Sequence, residues 1–183
     1  MRTAWQQWWM FRKQAMRSLL FRYAALGRGV YIGEGARIPG SGRLELARTV
    51  SVQRHAVLNA AAGAVIRVER GARVGAFAVI SAVREIDIGA DVLIADRVFI
   101  SDHHHGFADP DAPVIAQGAS PAQPVSIGAG SWLGINVCIM PGVVLGPGCI
   151  VGAGAVVTRS FPAGSIIAGV PAKLLRQRAG HAR

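Results

Sequence analysis

Between Val125 and Thr158 an aliphatic residue returns at every sixth position: Ile127, Leu133, Ile139, Leu145, Val151 and Val157. Four residues after each of the first five stands a small or β-branched one: Ser131, Val137, Val143, Cys149 and Ala155. Glycine directly follows four of the aliphatics, at Gly128, Gly134, Gly146 and Gly152. A period of six belongs neither to an α-helix at 3.6 nor to a plain strand at 2. It fits a short strand plus a turn, repeated, and predicts that these glycines take positive-φ corners. The fold class that follows is an all-β solenoid, a parallel β-helix of hexapeptide repeats with three hexads, or ~18 residues, to each triangular turn.

The same beat starts far upstream. Ile32, Ile38 and Leu44 keep it; after a two-residue slip to Leu46, Val52 and Leu58 resume it. Ala60–Arg67 is irregular. Val68, Val74 and Ile80 restore the period with Ala72 and Ala78 inside. A second slip at Ile86–Ile88 leads to Ile94 and Ile100. The solenoid domain is therefore expected over 28–168, with an appendage at each end. Residues 1–27 read as an amphipathic helix carrying Trp5, Trp8, Trp9, Met16, Leu19, Leu20 and Tyr23 on one face, which Arg12 breaks. Two readings of it stand open. It caps the open end of the coil, or it lies basic and Trp-rich on a membrane surface. Residues 169–183 are expected to form a short helix, with Pro171 in its first turn, and a basic tail.

Composition narrows the function classes. Charged residues are only 16% of the chain, and none occurs from Ala112 to Val157. Pro141, Pro147 and the frequent glycines exclude a membrane-spanning helix there, so the apolar run is core and subunit contact. The formal charge of +10 suits a soluble basic surface, an anionic ligand such as a nucleotide-like cofactor, or an anionic membrane surface, and no recognition motif accompanies it that would indicate nucleic acid. Cys138 and Cys149 form no CxxC pair and no zinc spacing, and Cys149 is expected buried. No cleavable signal is evident, so the cytoplasm is expected, with the N-terminal segment a candidate contact to the inner face of the membrane.

The beat stops at Ser101–Pro124, a polar stretch with four prolines and three of the five histidines, His103, His104 and His105. A long loop interrupting a regular coil is a favoured place for function. Histidine suits general-base chemistry on a hydroxyl at neutral pH, and Asp102 is near enough in sequence to orient one. Adjacent side chains of an extended segment diverge, so three ligands from one run make a poor zinc site, and no metal is expected. His104 falls at the inward register if the beat continues, which gives it a structural role.

The hexads, the ending GAGAVVTRSFPAGSIIAGVPAKLLR and the loop ISDHHHG together resemble the hexapeptide-repeat acyltransferases over about Val30 to Arg176. The ending and the loop resemble the acetyl-CoA-dependent branch, closest to sugar O-acetyltransferases of exopolysaccharide, capsule and O-antigen synthesis. The resemblance implies a left-handed β-helix and a homotrimer with its active site between neighbouring coils. It also implies acetyl-CoA as co-substrate and a small-molecule or lipid-linked sugar as acceptor. By alignment to the family loop the base is His105, with His103 the runner-up. Family positions imply a donor site of Trp132, Gly134, Ile135 (whose amide would face the oxyanion), Ala153, Thr158, Arg159, Lys173 and Arg176. The galactoside and maltose enzymes carry an acceptor asparagine where this chain has Gly75, so those sugars are not the expected substrate. Glu85 and Asp87 are weaker candidates for acceptor contact. The remaining alternatives are N-acetylation of an amino sugar or nucleotide sugar, a zinc hydratase, and a non-catalytic β-helix assembly module.

Overall fold

A computed structural model of the protein describes residues 24–178. The chain winds as a left-handed parallel β-helix whose strands form three sheets, one per face of a triangular prism, of six, eight and five strands. The first face stacks strands beginning with Ala24–Leu26 and Arg43–Leu46; the second begins with Tyr31–Ile32 and Ser51–Val52. The third holds Val57–Ala60, Val79–Ala82, Phe99–Ser101, Cys138–Ile139 and Val156–Val157. Every aliphatic of the 127–157 repeat is buried, as are the five residues four places later. Stacking closes the interior, because one turn alone has no neighbour against which to bury its inward side chains.

The two slips and the irregular stretch have a single cause. Early coils are longer than late ones: Leu58 pairs with Ile80 and Ile80 with Ile100, whereas Ile139 pairs with Val157. The extra residues lengthen strands from two residues to four, as in Arg43–Leu46, Val65–Val68 and Glu85–Ile88. Inside a four-residue strand the burial alternates, so Leu44 and Leu46 both point inward. Sixfold and twofold periods mix there, which blurs the pattern over Ala60–Arg67.

The glycine expectation needs correction. Gly128, Gly134, Gly146 and Gly152 do not have positive φ; the left-handed position lies two residues later, at Gly130, Asn136, Gly148 and Gly154. What the earlier glycines supply is room. A Cβ on Gly134 would stand 2.7 Å from the Ala153 nitrogen of the next coil, so the turns nest only without a side chain there.

Both appendages differ from expectation. Ala24–Leu26 is a strand, paired in parallel with Leu44–Leu46; residues 1–23 of the helix expected over 1–27 lie outside the described residues. The expected C-terminal helix is instead the strand Lys173–Gln177, antiparallel to Ser165–Ala168. Ser165–Ala168 has no following coil to satisfy its backbone groups, and a hairpin return supplies partners that a helix would not. Among the described residues the one helical element is a 3₁₀ turn at Val114–Ala116, and no helix is long and apolar enough to cross a membrane.

Candidate active site

The site is built where a tight corner meets the long loop. Most corners of the prism take about four residues, but the strands Val79–Ala82 and Glu85–Ile88 are joined by Val83 and Arg84 alone. Such a corner leaves amides pointing at one spot. Asp102 fills that spot: Oδ1 accepts from the Val83 N–H at 2.9 Å, and Oδ2 from the Arg84 and Glu85 N–H groups at 2.7 and 2.8 Å. The carboxylate is wholly buried, which three amide donors make tolerable.

Asp102 Oδ1 also lies 2.9 Å from His103 Nδ1. A carboxylate accepting on both oxygens can only receive from that ring nitrogen, so Nδ1 carries the proton and Nε2 keeps its lone pair. Ser101 clamps the same residue. Its hydroxyl donates to the His103 carbonyl at 2.7 Å and receives the His103 amide at 3.3 Å. The His103 side chain keeps 22% exposure, so an oriented imidazole remains reachable. These are the elements of a general base with its orienting acid.

The other two histidines are placed differently. His104 is exposed, not inward: its Nδ1 lies 2.8 Å from the His105 carbonyl and its ring tilts against Phe107 at 5.4 Å. His105 is exposed and pairs through its backbone with Ala119; no side-chain hydrogen bond orients it among the described residues. Gly106 and Ser120 amides bond to the Gly118 and His104 carbonyls. Gln117 holds the loop tip through both Asp109 backbone groups and the Ala112 carbonyl. The loop is thus a braced excursion. Among the described residues no three His, Cys, Asp or Glu side chains converge as a metal would require.

The residues assigned to the donor fall into three places. Trp132, Gly134, Ile135 and Ala153 gather on the second face and the corner after it, where the Gly154 N–H bonds the Ile135 carbonyl at 2.8 Å. Thr158 and Arg159 stand at the corner after the third face, the corner from which the His103 loop departs, with the Arg159 guanidinium 5.1 Å above the Phe161 ring. Lys173 and Arg176 lie on the final strand, at the edge of the second sheet. A single prism therefore holds His103 and the Trp132 cluster at opposite ends of its third face.

Glu85 and Asp87 do not stand free for an acceptor. Both pair with Arg67, Asp87 at 3.0 Å, and Arg67 also reaches Glu45 at 3.4 Å. The hydrogen bonds it donates, to Glu85 first and Asp87 second, hold this guanidinium's pKa above the ordinary arginine value. Gly75 has no space for a side chain, since a Cβ would lie 2.3 Å from the Ala95 carbonyl oxygen. Sequence reasoning missed Ser101 and the 83–85 amides. The signal available for the latter was the shortened spacing between Ala82 and Ile86, which implies a corner too tight to bond its own amides.

Residues 124–159 match the family model described as bacterial transferase hexapeptide (six repeats). The chain is 37% identical over 104 residues to WbbJ of Escherichia coli K12, assigned to lipopolysaccharide biosynthesis as an O-acetyl transferase; the match takes in 54% of this chain and 53% of that protein. It is 34% identical over 182 residues to an acetyltransferase of Mycobacterium tuberculosis, taking in 96% of this chain and 59% of that protein. The chain thus spans between half and two thirds of these relatives' length. A crystal structure of a mutant of AntD, an N-acyltransferase from Bacillus cereus, in complex with dTDP-4-amino-4,6-dideoxyglucose and coenzyme A, superposes with a TM-score of 0.77. At 20% identity it covers 90% of this chain and 88% of AntD, a likeness of fold. Repeats, coil and relatives agree: the chain is a left-handed β-helix of hexapeptide repeats, similar to the acyltransferases built on that coil.

Proposed function

We propose that the protein is an acetyl-CoA-dependent O-acetyltransferase acting on a sugar hydroxyl in surface-polysaccharide synthesis, with His103 as general base. The observation that carries this reading is the His103 Nδ1–Asp102 contact, which fixes the tautomer and leaves Nε2 to take a proton. In the step proposed, the acceptor oxygen attacks the thioester carbonyl as His103 Nε2 removes its proton. The C–S bond of the tetrahedral intermediate then breaks, the acetyl group stays on the sugar oxygen, and coenzyme A leaves as the thiol with that proton. The Ile135 N–H, at an exposed corner, is the proposed oxyanion donor. Trp132 and Ala153 would flank the pantetheine, and the cations Arg159, Lys173 and Arg176 suit the phosphates.

The homotrimer that the family resemblance implies is part of this reading. His103 and the Trp132–Ile135–Ala153 cluster occupy different corners of one prism, so one protomer's base would serve donor bound along its neighbour. The likeness to WbbJ favours a hydroxyl acceptor of surface polysaccharide. The fold likeness to AntD keeps an amino-sugar acceptor as the second reading. Thiol release from acetyl-CoA, measured with hydroxyl and amino sugars in parallel, decides between them. In the same assay His103→Ala is expected to lose ~10²–10⁴-fold in turnover while His105→Ala stays near wild type. The reverse order would return the base to His105.

A further inference from the structure

At the corner between the second and third faces, amide-to-carbonyl bonds run from coil to coil. His55 N–H bonds the Glu34 carbonyl, Phe77 that of Arg54, Arg97 that of Ala76, and Asn136 that of Asp96, at 2.9–3.1 Å. The ladder sets Gly35, His55, Phe77, Arg97, Asn136 and Gly154 in one column, all with positive φ. Glycine takes both ends and asparagine, the next most tolerant residue, one rung. Histidine, at His55, also tolerates this conformation, but Phe77 and Arg97 carry side chains that disfavour it, phenylalanine above all.

Those side chains make a surface. The His55 and Phe77 rings stack with centroids 5.1 Å apart and planes 20° from parallel. The Arg54 guanidinium lies 5.9 Å from the Phe77 centroid, and Arg97 is the next rung of the column. Gly35 makes the stack possible, since a Cβ there would stand 2.2 Å from His55 Nδ1. Phe77 nevertheless remains 47% exposed. Backbone strain kept for a half-exposed ring between two exposed arginines is a cost that coil stacking does not require.

We infer that this corner is a stacking site for the base of a nucleotide, with Arg54 and Arg97 beside its phosphate. An aromatic face accepts any planar base, and adjacent guanidinium groups favour the anion. The site shares a rung with the proposed base. Phe77 opens the rung and Val83, whose amide Asp102 receives, closes it. Six residues of extended chain put ~20 Å of the third face between the two. The column itself runs on through Asn136 and Gly154, beside Ile135 and Ala153, so in the proposed oligomer the same neighbour's His103 serves both. Two ligands supply that chemistry, the adenosine phosphate end of the acyl donor and a nucleotide-linked sugar acceptor. The choice of these ligands rests on the acyltransferase reading; the stacking itself does not.

The test exploits the strain. Phe77→Gly removes the ring and relieves the left-handed residue, so its melting temperature is expected to equal or exceed the wild type's, with the same oligomeric state by gel filtration. Binding of coenzyme A, dTDP and UDP is measured by calorimetry without turnover. The expected result is at least ~10-fold weaker binding of a nucleotide in Phe77→Gly, with affinity retained in His103→Ala. Loss confined to dTDP or UDP assigns the corner to the acceptor; loss confined to coenzyme A assigns it to the donor and withdraws the donor's phosphates from Arg159, Lys173 and Arg176. Unchanged affinities, no binding of any probe by wild type, or a variant that unfolds or dissociates would each overturn the proposal and leave the stack as packing. Phe77-dependent binding in a protein that transfers no acetyl group would sink the acyltransferase reading alone.

Discussion

Asp102→Asn is the most informative single change, because two oxygens serve four donors. The amide can turn either way. With its NH₂ in the place of Oδ2, the Arg84 and Glu85 N–H groups both lose their acceptor. With NH₂ in the place of Oδ1, only the Val83 N–H loses a backbone bond, and His103 Nδ1 meets a donor. A buried amide without a partner costs ~1–3 kcal/mol, so the second orientation wins by about that much. The protein is then expected to fold with stability lowered by ~1–3 kcal/mol, but His103 must accept at Nδ1 and carry its proton on Nε2. The base has lost its lone pair where it is needed, and turnover should fall by ~10²–10⁴-fold. Coenzyme A release reads the activity, and thermal melts read the fold. The double variant Asp102→Asn/His103→Ala should be no slower than His103→Ala, since Asp102 acts through the ring. A folded Asp102→Asn protein with wild-type turnover, or losses that multiply in the double variant, would refute the reasoning.

Other consequences separate local effects. Gly130→Ala, at φ 67° in open space, should cost about 1 kcal/mol, whereas Gly134→Ala drives a methyl into the Ala153 backbone and should cost about 2–4 kcal/mol; chemical denaturation giving the opposite order would remove the distinction drawn between the two kinds of glycine. Burial pushes the Cys149 thiol pKa up, and its Sγ lies 3.2 Å from the Pro162 carbonyl. At pH 8 a thiol reagent should therefore label Cys138 first and Cys149 only on unfolding, which peptide mapping reports. Arg67→Met leaves Glu45, Glu85 and Asp87 facing one another. Stability should drop by about 1 kcal/mol in low salt, and the loss should shrink as sodium chloride screens the carboxylates.

What was legible in the chain follows how local each cause is. Ile127 to Val157 could be read residue by residue, since each inward position obeys one rule set by stacking. The same rule lost clarity at Ala60–Arg67 because four-residue strands add a twofold alternation to the sixfold one. The turn glycines were read at the right positions for the wrong reason: the crowding at Gly134 comes from Ala153, one coil later, which no local pattern displays. Lys173–Gln177 looked helical from Pro171 onward, yet the need of Ser165–Ala168 for a partner decided the outcome. Between His103 and His105 alignment could not weigh the amides of Val83, Arg84 and Glu85, some twenty residues upstream.

The position of Asp102 joins these points. Ile100 pairs with Ile80 and Ser101 with Ser81, so the next residue falls in line with Ala82, which pairs in turn with Ala60. Those alanines are buried members of the core. The chain therefore puts a carboxylate where the coil asks for a methyl group, at a cost that only a full set of donors offsets. A wholly structural solution would continue the alanine column and close the corner within the usual coil. Instead the column ends in Asp102, the backbone turns outward at His103, and an excursion to Pro124 begins before Val125 re-enters the first sheet. The break in the core pattern and the start of the loop are one event, and its product is an imidazole held by a buried acid at the surface. An inward-register acid at the last residue before an insertion is thus a physical criterion for the site, readable from coil register without reference to the histidines.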